Sequence, residues 1–505
     1  MTPKLAIFTI CSNNYLPFAR AFFASVQAQH PEADLFLCLA DRAACAEEEP
    51  VPSWTILAAN ELCILDLDSL AFRYDIREFN TALKPFMLLY LLEQRGYDTV
   101  LYFDPDIYVY QRLDVPLAAL RNGASMVLTP HILQPLETAE APDDITIMRT
   151  GIYNLGFLGV SRTAESLDVL RWWGRRVREK CIDSQEEGLF VDQKFMDLAP
   201  AFAPACQILH HPGLNVAYWN LDQRDVTQSA GTWRAGEDDL IFFHFSGFDP
   251  LHPGRLSKYT TRFRNNLVPA MRCLTTAYAD QLMRYGFGDA RHARYAYATF
   301  ASGAPIHALV RRMFRDWTPD WAGNPFQTYE GFTHEPWHDS QDLPPGLLVT
   351  NFMAYLWDTV PGLKAKFDLR VPVDARGFVA WYVLRAADTL ALDETMVAPV
   401  RRHLAAHGIP LDNEPPPANV VDVPVSDNDR LLLEGLRTLR RRFAPVGSLR
   451  EDVLLALHRE MLAAIAKRST AKRAADTARR RNAAQAGEGT HDAGRVLVRA
   501  PASTH

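Results

Sequence analysis

A glycine-rich phosphate loop, a long apolar run and paired cysteines are all missing from this chain of 505 residues. The loop after the first apolar run reads Cys11-Ser-Asn-Asn-Tyr15. It offers no glycines for the backbone cradle that nucleotidyl-transfer enzymes build around phosphates. No stretch approaches the ~20 apolar residues of a membrane span, and Met87–Leu92 is much too short. The seven cysteines (Cys11, Cys38, Cys45, Cys63, Cys181, Cys206 and Cys273) form no Cys-x-x-Cys pair. That excludes a zinc ribbon or dithiol redox motif and fits thiols kept in a reducing compartment. Neither sign of charge dominates, since 53 Lys plus Arg stand against 60 Asp plus Glu for a net charge of −7. A protein that coats nucleic acid is therefore not expected. With 26 Gly and 33 Pro there is no collagen-like bias. The opening residues hold a strand-like run at Leu5–Ile10 where a signal peptide needs a longer apolar core, so the expected compartment is the cytoplasm.

What is present is a core-forming composition, 48% hydrophobic and 22% charged. The length is near three times the ~150 residues of a typical domain, which predicts two or three domains. Over residues 1–270, short apolar runs alternate with longer helical patterns, the mark of an α/β sheet layered by helices. The runs predict strands at 5–10, 34–39, 99–103, 125–129, 156–160, 207–210 and 240–243, with helices over 15–29, 81–95 and 164–180. Ligands of such sheets collect at the carboxyl ends of the strands. That places Thr9–Asn14, Asp104–Asp106 and His244–Gly247 on one rim. Residues 271–465 read as a second, mostly helical domain, with segments at 275–285, 351–367, 377–387, 395–406, 429–442 and 450–467. Residues 466–505 are Ala-, Arg- and Thr-rich and read as a disordered tail that cannot offset its ordering entropy. From Lys467 on, nine Lys or Arg face three acids. The plain reading is a solvated arm, but such an arm can also rest on anionic head groups as a peripheral contact at the inner membrane surface.

The sharpest local signal is Val100-Leu-Tyr-Phe-Asp104-Pro-Asp106. A buried strand here delivers two carboxylates, one residue apart, to the sheet edge. Carboxylates are hard donors suited to Mg²⁺ or Mn²⁺, although two acids in a loop are more often solvated or capping groups. His244-Phe-Ser-Gly247 also follows a strand, which makes His244 a candidate third ligand. Gly247 allows close approach to phosphate oxygens, and Lys258 lies near enough in sequence to neutralise them. Asn154, Gly156, Asp192 and Gln193 add the amide and carboxylate groups that a polyhydroxylated ligand requires.

In order, these are an Asn-rich loop after the first strand, a basic residue before the acidic strand, Tyr-Phe-Asp-Pro-Asp, Asn-x-Gly-Phe, Asp-Gln and His-Phe-Ser-Gly. Together they resemble the GT-A glycosyltransferases related to glycogenin and the bacterial lipopolysaccharide galactosyltransferases, often called family 8. The resemblance spans roughly residues 4–260. It implies a GT-A fold, a Rossmann-like mixed sheet with flanking helices, followed here by the helical domain. It also implies a metal-dependent transferase that moves a hexose from a nucleotide sugar, a UDP-hexose by preference, to a glycan or glycoconjugate acceptor with retention of configuration. Bacterial surface-polysaccharide synthesis is the setting it suggests.

The roles carried over are residue by residue. Asp104, Asp106 and His244 would hold Mn²⁺ or Mg²⁺. The donor would be bound by Thr9, Cys11, Asn13, Asn14, Asn80, Asp104, Asn154, Gly156, Gly247 and Lys258. Catalytic positioning would fall to Gln193, Asp192 and Lys84. Where the family has Lys-Pro-Trp after its His-x-x-Gly, this chain reads Phe-Asp-Pro-Leu-His-Pro-Gly-Arg-Leu-Ser-Lys, so Arg255 rivals Lys258. The aromatic loop Trp317, Trp321, Phe326, Tyr329, Phe332 and Trp337 is either an acceptor platform or, more simply, hydrophobic packing. Two other readings stand beside the transferase: a metal-dependent nucleotidyltransferase, and a catalytically silent glycan-binding protein.

Overall fold

The computed structural model describes residues 3–42, 54–137, 142–260, 262–263, 267–339 and 343–410. The helices expected at 429–442 and 450–467, the basic tail 466–505 and Cys45 lie outside the described residues. The chain divides into two compact units, Met1–Glu335 and Pro336–His505.

The first unit is built on a seven-stranded sheet. Its strands are β1 (Leu5–Cys11), β2 (Asp34–Leu39), β3 (Trp54–Ala58), β4 (Thr99–Phe103), β6 (Met126–Leu128), β7 (Phe157–Ser161) and β10 (Cys206–Ile208), in the order β10-β6-β7-β4-β1-β2-β3. β7 pairs antiparallel with both β4 and β6, whereas the β1/β2, β1/β4, β2/β3 and β6/β10 pairs are parallel. β1 is central and nearly continuously apolar, as a strand covered on both faces must be; Ala6, Ile7 and Phe8 are fully buried. The mixed α/β architecture and the helical part that follows are those expected from the sequence.

The flanking helices are α1 (Leu16–Gln29), α2 (Leu67–Arg73), α3 (Ile76–Ala82), α4 (Lys84–Leu89), α5 (Asp114–Arg121), α6 (Asp144–Thr150), α7 (Ala164–Lys180) and α8 (Ala199–Phe202). α7 starts where Thr163 Oγ1 accepts the Ser166 amide at 3.1 Å, a capped N-terminus. It ends with Arg178 and Lys180 in its last turn, where cations favour the helix dipole. One helix was expected over 81–95. The chain forms α3, then α4, then a π-type turn at Tyr90–Gln94. Pro85 explains the break, because a proline inside a helix loses its own donor and clashes with the carbonyl one turn earlier. The restart puts Lys84 on the first residue of α4.

After the turn at Asp104–Asp106 the chain leaves the sheet as β5 (Ile107–Val109). β5 pairs antiparallel with β14 (Phe242–His244), with Ile107 opposite His244. Between α7 and β10 a small hairpin forms from β8 (Asp183–Ser184) and β9 (Leu189–Phe190). A three-stranded ribbon of β11 (Val226–Ser229), β12 (Thr232–Ala235) and β13 (Asp238–Asp239) precedes β14. Strand signals stop there, yet the first unit does not. α9 (Pro269–Arg284) buries Met271, Leu274, Tyr278 and Leu282 in one cluster with Phe243, Phe245 and Phe248, and α10 (Phe287–Ala290), α11 (Ala308–Trp317) and α12 (Pro325–His334) complete the unit.

Four residues of the aromatic loop, Trp321, Phe326, Tyr329 and Phe332, belong to this packing, while Trp337 lies in the second unit. Trp321 stands 4.9 Å from Tyr329 and 5.1 Å from Phe332, ring centre to ring centre, while Phe72 meets Phe326 at 5.1 Å and Tyr329 at 5.4 Å. The described part of the second unit is helical: α13 (Asn351–Thr359), α14 (Leu363–Lys366), α15 (Pro372–Trp381), α16 (Ala387–Leu390) and α17 (Glu394–Ala406). The helix expected over 351–367 is split between α13 and α14 by Pro361 and by Gly362 at φ 87°.

Arg311 on α11 is buried and donates to the carbonyls of Ala71 at 3.2 Å and Phe72 at 2.7 Å, at the end of α2, and also to the Tyr297 carbonyl. Arg315 adds a bond to the Arg73 carbonyl at 2.6 Å. A cation thus closes the C-terminus of α2, whose last carbonyls have no partner within the helix. Arg311→Ala should destabilise the unit by about 3 kcal/mol, because it strands buried carbonyls and leaves a cavity. Chemical denaturation of the full chain measures it.

Candidate functional site

A cleft of about 690 Å³ opens at the carboxyl ends of β1 and β4. Its walls bring together Cys11, Asn14, Asn80, Lys84, Asp104, Asp106, Asn154, Gly156, Asp192, Gln193, His244, Gly247 and Lys258, all singled out in the sequence. Two other candidates do not line it. Thr9 is fully buried within β1. Asn13 turns its amide onto the Arg42 carbonyl at 2.9 Å, which ties the loop after β1 to the end of β2. Thr9 is enclosed by the strand, and Asn13 faces Arg42, because a loop of consecutive polar residues can send only some of its side chains to the ligand face.

The acidic turn is held by backbone. The Asp104 amide donates to the Gly156 carbonyl at 2.7 Å, continuing the β4/β7 ladder, and the Phe245 amide donates to the Asp106 carbonyl at 2.8 Å. The β5/β14 pairing then sets His244 against the turn. Its Nε2 lies 3.1 Å from Asp106 Oδ1 and 3.7 Å from Asp104 Oδ2. One ligand atom from each of these three residues lies within 4.8 Å of the others. Two carboxylates and an imidazole form a donor set suited to Mn²⁺ or Mg²⁺.

Behind His244 the hydrogen bonds fix its orientation. His131 is neutral, because burial pushes its pKa down to about 4. Its Nδ1 donates to the Ile152 carbonyl at 3.3 Å, so Nε2 accepts from Asn154 Nδ2 at 3.1 Å. Asn154 Oδ1 consequently faces the other way, accepting from the Gly156 amide at 3.1 Å and Asn215 Nδ2 at 3.0 Å, and lying 3.2 Å from His244 Nδ1. The proton of His244 thus sits on Nδ1, and Nε2 is aimed at the two carboxylates. Burial lowers the His244 pKa, but Asp106 and Asp104 outweigh it, so the imidazole stays above its usual range without a cation. His131 and Asn215 had no motif to mark them; Asn215 adopts φ 52°, and only the fold shows its place. Tyr102, whose hydroxyl donates to Asp104 Oδ1, was likewise read only as part of a strand.

Lys84 is 2% exposed and lies between two acids, its Nζ 3.0 Å from Asp192 Oδ2 and 3.6 Å from Asp104 Oδ1. It also donates to the Leu155 carbonyl at 2.9 Å and sits 4.6 Å over the Tyr102 ring. Burial lowers its pKa, but the two carboxylates more than restore it, so Lys84 is a cation. Asp192 pays more heavily: burial pushes its carboxyl up to about 6 against the pull of Lys84. The residue before it, Val191, adopts φ 42°. That conformation strains a β-branched side chain and is typical of sites where geometry is over-determined. Gln193 spends half of its amide on backbone, donating from Nε2 to the Thr150 carbonyl and accepting at Oε1 from the Leu155 amide, both at 2.9 Å. Oε1 also accepts from Asn154 Nδ2 at 3.5 Å, so one N–H remains for a ligand.

On the far side, Gly247 at φ 69° turns the chain, and the Lys258 amide donates to its carbonyl at 2.9 Å. Lys258 lines the cleft, whereas Arg255 braces the loop through the carbonyls of Ser257 and Lys258, each at 3.2 Å. Asn14 Oδ1 and Asn80 Oδ1 have no hydrogen-bond partner among the described residues. Tyr15, Tyr218, Trp219 and Tyr259 add aromatic walls.

No family model matches the chain. In sequence it is 26% identical to YfnF, an uncharacterised protein of Bacillus subtilis (strain 168), over 256 residues, 48% of this chain and 80% of that one. It is 28% identical to the uncharacterised YfnD of the same organism over 180 residues, 34% of this chain and 54% of that one. Among solved structures it is similar to the galactosyltransferase LgtC in complex with donor and acceptor sugar analogues, with TM-score 0.34, 15% identity, and 55% of this chain and 95% of that one covered. It is also similar to mouse xyloside xylosyltransferase 1, with TM-score 0.32, 13% identity and coverage of 48% and 97%. A glycosyltransferase involved in glycosylation of the major capsid of PBCV-1 gives TM-score 0.29, 12% identity and coverage of 49% and 95%.

Gly156 is required by contact. A Cβ there would lie 2.4 Å from His244 Cε1 and 2.8 Å from Asn154 Oδ1. Gly156→Ala should push the imidazole off the acidic turn. NMR titration of the His244 ring should then show its pKa falling from the raised position, because the carboxylates that support the proton are farther away. An unchanged titration would mean that the contact with Gly156 does not set the ring.

Proposed function

We propose that this chain is a glycosyltransferase that moves a hexosyl group from a nucleotide sugar, a UDP-hexose, to a hydroxyl of a glycan or glycoconjugate, retaining configuration. The observation that carries the reading is the convergence of Asp104, Asp106 and His244 within 4.8 Å at the edge of a 690 Å³ cleft that also holds Lys84, Asp192 and Gln193. The donor set fits a divalent cation, Mn²⁺ or Mg²⁺, which when bound would neutralise charge on the departing diphosphate. Gly247 and Lys258 border the same space and would receive the remaining phosphate charge.

The other residues orient and shield. The unpaired amide oxygens of Asn14 and Asn80 are suited to the hydroxyls and N–H groups of a nucleoside. Lys84 keeps Asp104 in place and balances Asp192, so that one flank of the sugar meets a compensated ion pair. Gln193 offers its spare N–H to the sugar without bringing another charge to be desolvated. Asn154 fixes His244. We assign the reaction to the cytoplasm, consistent with the unbridged thiols Cys38 and Cys181, and to the building of cell-surface polysaccharide.

The test is release of UDP from a panel of UDP-hexoses in the presence of Mn²⁺, with and without acceptor. Loss of all release on chelation, and in Asp106→Asn with its fold intact by circular dichroism, is the expected result. Donor binding without turnover would favour a silent glycan-binding protein, and turnover that persists in Asp106→Asn would remove the metal assignment. Gln193→Ala should lower kcat at least tenfold with little change in donor KM, the pattern of a contact made mainly in the transition state. Lys84→Ala should damage both constants and cost about 3–5 kcal/mol of stability by uncovering buried carboxylates. The raised His244 pKa gives the sign of the pH dependence. Below that pKa the imidazolium competes with the cation, so Mn²⁺ affinity should climb as pH rises through it and level off above. In the cation-free protein the same raised pKa stabilises the fold at low pH, and that contribution fades as pH passes upward through it. Calorimetry of Mn²⁺ binding across pH checks the first statement.

A further inference from the structure

A second cavity, of about 310 Å³, lies between α1, β5, β12 and α9 and shares no lining residue with the cleft. Its size is near the lower end of the ~300–1,000 Å³ range of ligand pockets, room for one or two small rings. Alternation along β5 puts Tyr108 and Tyr110 on one face, while Val109 between them joins the core of the sheet. Tyr278 of α9 and Trp233 of β12 extend the row. Ring centres stand 6.0 Å apart for Tyr278 and Tyr108, 4.9 Å for Tyr108 and Tyr110, and 6.2 Å for Tyr110 and Trp233. The planes of these pairs cross at 76°, 51° and 62°, so no two neighbours in the row make a parallel slot for a flat base. Tyr108, Tyr110 and Trp233 are half-buried, which leaves part of each ring open to a guest.

The polar groups of this wall are incompletely paired. Gln281 Nε2 donates to Tyr108 Oη at 3.1 Å, which orients the hydroxyl and leaves its proton to be given elsewhere. Gln281 Oε1 and Tyr278 Oη are buried and have no hydrogen-bond partner among the described residues. Buried groups of both kinds ordinarily find one, because leaving them unmade is costly. Among the described residues, no acid or base lines the cavity. Beside it, Arg112 donates to the Gln29 carbonyl at 2.6 Å and is already paired with Glu32 at 2.7 Å. A charged guest would therefore give up its hydration without gaining an opposite charge.

We infer that this cavity is a second carbohydrate site, separate from the cleft, for an uncharged hexopyranosyl residue. Such a ring has a C–H face that packs on aromatic side chains and a rim of hydroxyls that both donate and accept. The rim meets the Tyr108 hydroxyl and supplies the partner that Gln281 Oε1 lacks, while the C–H face lies against the row from Tyr108 to Trp233. Ala28 and Ala277, both small and exposed, stand among the lining residues and leave the way in from α1 and α9 unobstructed. The site goes beyond the transfer reading and does not rest on it.

Saturation-transfer NMR on the full chain tests this, with the methyl α-glycosides of glucose, galactose and mannose as probes and methyl α-glucuronide as the charged counterpart. The wild-type chain should transfer magnetisation to at least one of the three uncharged sugars, and the glucuronide should bind at least about tenfold more weakly than the glucoside. Trp233→Ala should weaken binding of the responding sugar by about tenfold, the order of one lost aromatic contact. Ala277→Trp should do the same by filling the entrance, and because it changes an exposed residue it keeps the test alive if Trp233→Ala does not fold. Circular dichroism checks the fold of both. No transfer to any of the three sugars overturns the inference. So does equal binding by the wild-type chain and the folded variants, because the sugar would then sit in the cleft. Glucuronide that binds as tightly as the glucoside overturns the uncharged class.

Discussion

A shortage of positive charge among converging carboxylates, one of them buried, governs the site. Asp104, Asp106 and Asp192 converge on a region where Lys84 and the His244 imidazole are the compensating groups. Asp192 shows the cost: burial first, and then the nearby Asp104, drive its carboxyl up to about 6 although Lys84 touches it. An arrangement of this kind is costly unless the function uses it, because removing charge from water is repaid only by close partners. A divalent cation carrying a diphosphate would complete the balance, since its two positive charges meet both the acidic turn and the phosphate oxygens.

The surrounding structure serves that balance at several distances. The three candidate ligands come from β4's end and from β14, more than a hundred residues apart in sequence, and no local segment could assemble them. The β5/β14 pairing brings the histidine to the acids, and the β4/β7 register sets Gly156 beside Asp104. Gly156 then makes room for the imidazole that the Asn154–Asn215 pair orients. Substitution of any one of these should be felt at the others, because each fixes the rotamer or tautomer of the next.

Much of this was legible in the sequence, where it depended on residues near one another along the chain. A buried strand that ends in Asp-Pro-Asp, and an imidazole at the close of another strand, identify themselves by local pattern. Pro85 marks the restart of the helix within 81–95 just as locally, through its effect on the preceding turn. His131 and Asn215 could not be read, since their importance comes from hydrogen bonds across 23 and 61 positions to Asn154 that only the assembled sheet creates; Tyr102, two positions before Asp104, bonds to it locally and is legible from the strand's alternation. Thr9 is enclosed in β1, and Asn13, in a loop of the right composition, turns its side chain to the Arg42 carbonyl. The fading of strand signals near Met271 marked a change of texture, while α9 remains part of the first unit's core.

The central claim is that the acidic turn and His244 form a cation-dependent site for a nucleoside diphosphate. Calorimetric titration of UDP into the full chain, with Mn²⁺ present and then with the cation chelated, addresses it most directly. The account predicts binding in the first condition and at least about a hundredfold weaker binding in the second, a difference of roughly 2.7 kcal/mol. Equal affinity in the two conditions would contradict it.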